Sequence, residues 1–104
     1  MDQHRYLMSG SIRLDRRDER LSRNGQDVRL GGRALALLRA LMERPQTLVT
    51  KDELFESVWP GLAVSESVLT TAVKEIRQAL GDDARSPQLI QTVYGRGYRF
   101  LPDV

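Results

Sequence analysis

The spacing of apolar positions changes twice along the chain and divides it into three parts. In the stretch SIRLDRRDERLSRNGQDVRL, Ile12 and Leu14 stand two apart, as do Val28 and Leu30, with Leu21 between the pairs. Period two is the pattern of a strand with one buried face. Asn24-Gly25 is a two-residue hairpin signal, because both residues tolerate positive φ. The pattern predicts three or four short antiparallel strands whose arginines face water. DRRDER, with its mixed signs, is expected to be a solvated turn.

From GGRALALLRALMERP the period becomes helical, with Ala34, Leu37, Leu38, Leu41 and Met42 on one wide face. Pro45 ends that helix, since a proline pushes its predecessor out of the α region. QTLVT leaves room for one short strand. TKDE then forms a capping box, Thr50 as N-cap with Glu53 reaching back. In the second helix Leu54 pairs with Val58 and Phe55 with Trp59, four apart, and WPG stops it. Trp59, the one tryptophan, is expected to anchor the core.

A third helix is predicted from a Ser65 N-cap to Gly81 at its C-terminus. Leu69, Ala72, Val73, Ile76 and Leu80 share one face. At about 100° per residue, Ser67, Thr71, Lys74 and Gln78 line the opposite face, with Thr70 and Arg77 along its edge. GDDARSPQ reads as a loop, its acidic pair a solvated helix end. TVYGRGYRF closes the chain as a hairpin, with Tyr98 and Phe100 on one side of the last strand and Arg99 on the other. Ile90 and Val93 have opposite parity, which leaves the faces of the preceding strand unassigned.

Composition narrows the chemistry. The 104 residues fit one domain, with a sheet over residues 1–32, a three-helix core over 33–81 and a hairpin over 88–101. Cysteine is absent, so disulfides, thiolate nucleophiles and Cys-based zinc sites are excluded. No apolar run approaches the roughly 18 residues of a membrane span, and the first ten residues lack a signal peptide's apolar centre. A cytoplasmic location is expected. Net charge is only +2, with ten Lys/Arg against six Asp/Glu in residues 1–44, one against three in 45–64 and five against five in 65–104. Bulk charge alone therefore does not point to a polyanion.

Two helices joined by a turn, the second followed by a β-hairpin, make an α+β winged helix-turn-helix: an N-terminal antiparallel sheet, three helices and a C-terminal wing. Such a fold lays its second motif helix in the major groove of a duplex. A helix of about 15 residues is about 22 Å long, against a groove about 12 Å wide. Gln78 can pair with adenine, Lys74 can reach guanine, and the Thr71 methyl can pack on thymine. Arg77 and Thr70 are expected at phosphate. In the hairpin, Gly95 and Gly97 allow a tight turn and clear a path for Arg96, which a narrow minor groove would attract.

From about Leu21 onward the chain resembles the OmpR/PhoB-type winged-helix effector domain of bacterial transcription regulators. RALALLRALMERPQTLVTKDEL, SVWPG, VSESVLTTAVKEIRQALGDD and LIQTVYGRGYRF carry the likeness. The last two are the specific ones, with helix, linker and G-x-G-Y-x-F hairpin in the family's order and spacing, while the arginine-rich opening matches only in its strand character. The resemblance implies sequence-specific binding of double-stranded DNA through Ser67, Val68, Thr70, Thr71, Lys74, Glu75, Arg77 and Gln78 on the helix, with Arg96 and Arg99 on the wing. It also implies contact with RNA polymerase through the loop from Pro60 to Val64, and head-to-tail pairs on direct repeats. By the same resemblance these residues would be the DNA-binding part of a longer regulator, ahead of a sensor, membrane or ATPase-like region. Glu75 departs from a cationic face and would repel phosphate unless it accepts from a cytosine amine.

Other functions have weaker support. His4, the one histidine, sits at the N-terminus, where no Ser-His-Asp arrangement is held, and GRG lacks the strand-to-helix setting of a phosphate loop. No enzyme activity, cofactor, metal or small-molecule substrate is expected. Double-stranded RNA would exclude the helix from its deep, narrow groove. The alternative is a winged-helix protein–protein interaction module, which calls for exposed aromatic or aliphatic residues at its centre.

Overall fold

A computed structural model describes residues 4–104, so residues 1–3 of the expected sheet region lie outside the described residues. Four strands open the fold: β1 (Tyr6–Ser9), β2 (Ile12–Asp15), β3 (Arg20–Arg23) and β4 (Gln26–Val28), antiparallel in sequence order. Leu7, Leu14, Leu21 and Val28 lie opposite one another across all four, and this row forms the inner face. Met8, Arg13, Ser22 and Asp27 make the next row, on the outer face. Asn24 and Gly25 both take positive φ, 52° and 78°, which the β3–β4 turn needs. The second member of the expected pair, Leu30, lies beyond the strand; the chain is already leaving the sheet for the first helix, and Leu30 packs half-buried on the core.

Arg13, Arg17, Arg20 and Arg29 face water as expected, whereas Arg16 and Arg23 are half-buried and, like Arg5, bonded. Arg5 bonds the Asp15 carboxylate at 3.0 Å, Arg16 meets Glu43 at 3.0 Å, and Arg23 donates to the Leu80 carbonyl. DRRDER is a turn, yet its Asp15 is buried, accepting from the backbone amides of Arg17 and Asp18 as well as from Arg5. A buried carboxylate persists only when paired and hydrogen-bonded.

Helix α1 (Gly32–Met42) buries Ala34, Leu37, Leu38, Leu41 and Met42, the stripe its spacing predicts. Strand β5 (Leu48–Thr50) leads directly into α2 (Lys51–Val58), where Thr50 and Glu53 close both halves of the capping box. Trp59 ends α2 buried, its ring 6.2 Å from that of Phe55. Helix α3 (Ser67–Leu80) starts later than the sequence implies. The Ser65 hydroxyl bonds the Ser67 hydroxyl at 2.7 Å, and no side chain caps the first turn. Gly81 ends α3 at φ 70°, the left-handed position.

Strands β6 (Ile90–Val93) and β7 (Gly97–Phe100) form the closing hairpin, and β5 joins it as a third strand in the order β5-β7-β6. Ile90 lies opposite Phe100 and Thr92 opposite Tyr98, which settles the unassigned faces: Ile90 and Thr92 turn to the core side, Gln91 and Val93 away. The core lies between the two sheets and the three helices, with Leu37, Leu38, Leu54, Ile76, Ile90 and Phe100 fully buried. Each such side chain stabilises the fold by about 1.5–3 kcal/mol. No helix among the described residues is long and apolar enough to cross a membrane.

Candidate nucleic-acid interface

The apolar stripe of α3 decides where its polar face goes. Leu69, Ala72, Val73, Ile76 and Leu80 are buried, so Ser67, Thr70, Thr71, Lys74, Glu75 and Gln78 are left exposed on one side. At 14 residues the helix is about 21 Å long. The hairpin lies beside it. Glu66, Thr70, Val73 and Arg77 form one wall of a cleft, Thr92, Val93, Tyr94, Gly95 and Gly97 the other, and Lys51 lies at its edge. Thr70 is the residue of the polar face that lines this cleft, while Ser67 and Thr71 line a hollow on the Trp59 side of the helix.

The wing turn is built by two glycines with different duties. Gly95 takes φ 75°, as the third residue of a turn closed by the Arg96 amide on the Val93 carbonyl at 2.9 Å. No atom would meet a Cβ there. Gly97 does not take positive φ. A Cβ there would run into the Val49 carbonyl oxygen and come within 2.9 Å of Thr50 Cα. The backbone that approaches Gly97 is therefore the chain's own β5. This corrects the expectation that both glycines serve the turn and clear the way for Arg96. The Arg96 main chain is held from both sides, its carbonyl accepting from the Lys51 amide at 3.0 Å, while its side chain is exposed.

The remaining expected positions divide by environment. Arg77 is half-buried, and its Nη2 donates to the Ile90 carbonyl at 2.9 Å and to the Thr92 hydroxyl at 3.0 Å. Its Nε is buried without a partner. That guanidinium is committed to β6 and is not a free edge cation. Arg99, on the central strand β7, donates to Gln91 at 2.8 Å. Val68 is half-buried and lines a hollow with Trp59, Arg33 and Thr71. Glu75 lies against the start of α1, where a Cβ on Gly31 would be 3.3 Å from its Oε2. That helix end has no side-chain cap and no acid in its first turn. A carboxylate beside the positive end of a helix dipole is stabilised there, which gives Glu75 a reason to sit on this face.

Three participants escape sequence reasoning. Tyr94, at the second position of the wing turn, is 89% exposed; its place just before Gly95 was the available signal. Lys51 pairs with Glu66 at 3.2 Å and ties the start of α2 to the start of α3. Asp82 accepts from the amides of Gln88, Leu89 and Ile90 at 2.8, 3.2 and 3.0 Å, so it organises the loop instead of ending a helix in solvent. In the loop between α2 and α3, Leu62 is 53% exposed. Among the described residues no group of three or more His, Cys, Asp or Glu could hold a metal ion.

Residues 25–100 match the family described as "Transcriptional regulatory protein, C terminal". Over 76 residues the chain is 41% identical to a cholera toxin homolog transcriptional activator of Vibrio parahaemolyticus. That stretch is 71% of this chain and 26% of the activator, so the chain spans about a quarter of that relative. The DNA-binding domain of Klebsiella pneumoniae RstA, solved in complex with the RstA box, superposes with a TM-score of 0.84 at 26% identity, covering 94% of this chain and 98% of that one. The DNA-binding domain of E. coli CadC gives 0.79 at 30% identity, covering 96% and 94%.

Proposed function

The chain belongs to the family of transcriptional regulatory protein C-terminal domains, the OmpR/PhoB type, and from that premise we propose that it binds double-stranded DNA in a sequence-specific manner as the effector domain of a bacterial transcription regulator. The observation that carries the reading is the exposed polar face of α3, Ser67, Thr70, Thr71, Lys74 and Gln78, beside a wing turn whose Arg96 side chain is also exposed, with Thr70 and the turn residues Tyr94 and Gly95 lining one cleft. A duplex presents major and minor grooves side by side, and a helix with a neighbouring wing can enter both.

In this reading α3 lies in the major groove. Lys74 reaches guanine O6 and N7, Gln78 pairs with adenine, and the Thr71 methyl packs on thymine. Ser67 and Thr70 bond phosphate oxygens, which position the helix without reading sequence. Arg96 enters the minor groove, where a narrow A·T tract concentrates negative potential. With Lys74 the one free-standing cation among the expected helix residues, a single copy binds modestly, and tandem head-to-tail copies on direct repeats supply the rest. The exposed Leu62 supports the reading of the loop of residues 60–64 as a contact point for RNA polymerase.

The test is fluorescence anisotropy with a pool of random duplexes at two salt concentrations. Binding should fall steeply with salt, and Lys74→Ala should weaken binding to a selected site by about 1–3 kcal/mol. A second reading, a protein-interaction module, draws on the exposed Tyr94 and Leu62. Absent or salt-insensitive duplex binding, unchanged by Lys74→Ala, would favour it.

A further inference from the structure

Strand β6 is an edge strand, since the order is β5-β7-β6. Its outward amide and carbonyl groups need partners that the sheet does not supply. At Ile90 both are met by side chains, one from the last turn of α3 and one from the loop just after its Gly81 cap. The Ile90 amide donates to Asp82 Oδ2 at 3.0 Å, and its carbonyl accepts from Arg77 Nη2 at 2.9 Å. The same Nη2 reaches the Thr92 hydroxyl, one outward position along the strand, at 3.0 Å. Ile90 itself is fully buried. The root of the wing is thus gripped at two consecutive outward positions, by Arg77 of α3 and by Asp82 of the loop that follows it.

We infer that Arg77 is a positioning residue: with Asp82 it sets the distance and angle between α3 and the wing, so that the spacing of the grooves becomes part of what the domain recognises. The inference rests on the DNA-binding reading above. A guanidinium is a planar, rigid fork, suited to fixing two elements against each other. It is held here even though its Nε is buried without a partner, a cost that a phosphate contact on the open edge would not require. Thr92 takes part through a neutral hydroxyl, so the strut can be loosened without changing any charge.

Two measurements decide it. The first is a double-mutant cycle in duplex binding, combining Arg96→Ala with Arg77→Met and, separately, with Thr92→Val. Arg96→Ala should weaken the parent about 5- to 150-fold, the range for one good groove contact. In either second background the same substitution should weaken binding less than about threefold, because the wing no longer delivers Arg96 to its groove. A phosphate-contacting Arg77 would give multiplicative losses, as would one that merely stabilised the fold, and either outcome overturns the inference. The second measurement is amide hydrogen exchange on the free proteins. Amides of β6 should exchange at least about tenfold faster in Arg77→Met and Thr92→Val, while those of α1 stay as in the parent. Unchanged β6 protection overturns the strut. A parent that binds no duplex would overturn the DNA-binding reading and the groove-spacing role with it. The exchange measurement, made without DNA, tells that failure from failure of the strut.

Discussion

Gly95 and Gly97 flank the same arginine, and replacing each by alanine should have unequal consequences. At Gly97 the new methyl meets main-chain atoms: the Val49 carbonyl oxygen, Thr50 Cα at 2.9 Å and the Val49 carbonyl carbon at 3.0 Å. None of these is the end of a flexible side chain, so β5 and β7 must separate where Thr50 faces Gly97. Overpacking of this kind costs about 1–3 kcal/mol, and one or two weakened ladder bonds add about 0.5–1.5 kcal/mol each. The sum is about 1.5–6 kcal/mol. For a domain of this size that lowers Tm by about 7–28 °C. At Gly95 nothing crowds the methyl, and only the left-handed φ of 75° is penalised, by about 1–2 kcal/mol. Thermal and urea unfolding followed by circular dichroism measure both variants against the parent. If Gly95→Ala costs as much as Gly97→Ala, or more, the account of the close β5–β7 approach is wrong.

Other perturbations test the supports around the interface. The Asp15 carboxyl is held down from 3.8 to about 2, first by its hydrogen bond from Arg5, with burial opposing and the amides of Asp18 and Arg17 assisting. A folded-state value below the unfolded one means the stabilisation is present above pH about 4 and is lost as pH falls through 2. The Tm advantage of the parent over Asp15→Asn should therefore be constant near neutrality and shrink between pH 4 and 2; an advantage that persists at pH 2 would contradict this. Asp82→Ala removes the acceptor of three backbone amides and should cost about 2–3 kcal/mol in urea unfolding. A loss under about 0.5 kcal/mol would show that water replaces the carboxylate.

What the sequence discloses here is what local spacing encodes. The buried stripes of α1 and α3, the capping box at Thr50 and the Asn24-Gly25 turn all follow from residues a few positions apart. The start of α3 departs from the predicted Ser65 cap because Ser65 bonds the Ser67 hydroxyl at 2.7 Å instead of capping the helix. Gly97, Arg77 and Asp82 have tertiary partners that no neighbouring residue in the sequence announces. Gly97 faces Val49 and Thr50, Arg77 reaches Ile90 and Thr92, and Asp82 holds amides six to eight residues away. No periodicity records which backbone will pass within van der Waals distance, or which edge strand will need a donor. For the same reason the exposed face of α3 is legible, while the cleft between its Thr70 edge and the wing is not.

In the proposed binding mode α3 and the wing enter two different grooves of one duplex. Methylation interference on a selected binding site tests it directly, because methyl groups at guanine N7 lie in the major groove and those at adenine N3 in the minor groove. The parent should show both kinds of interference within one half-site. Lys74→Ala should lose the guanine signal and keep the adenine one, and Arg96→Ala should do the reverse. Interference confined to one groove, or a pattern that neither substitution alters, would contradict the account.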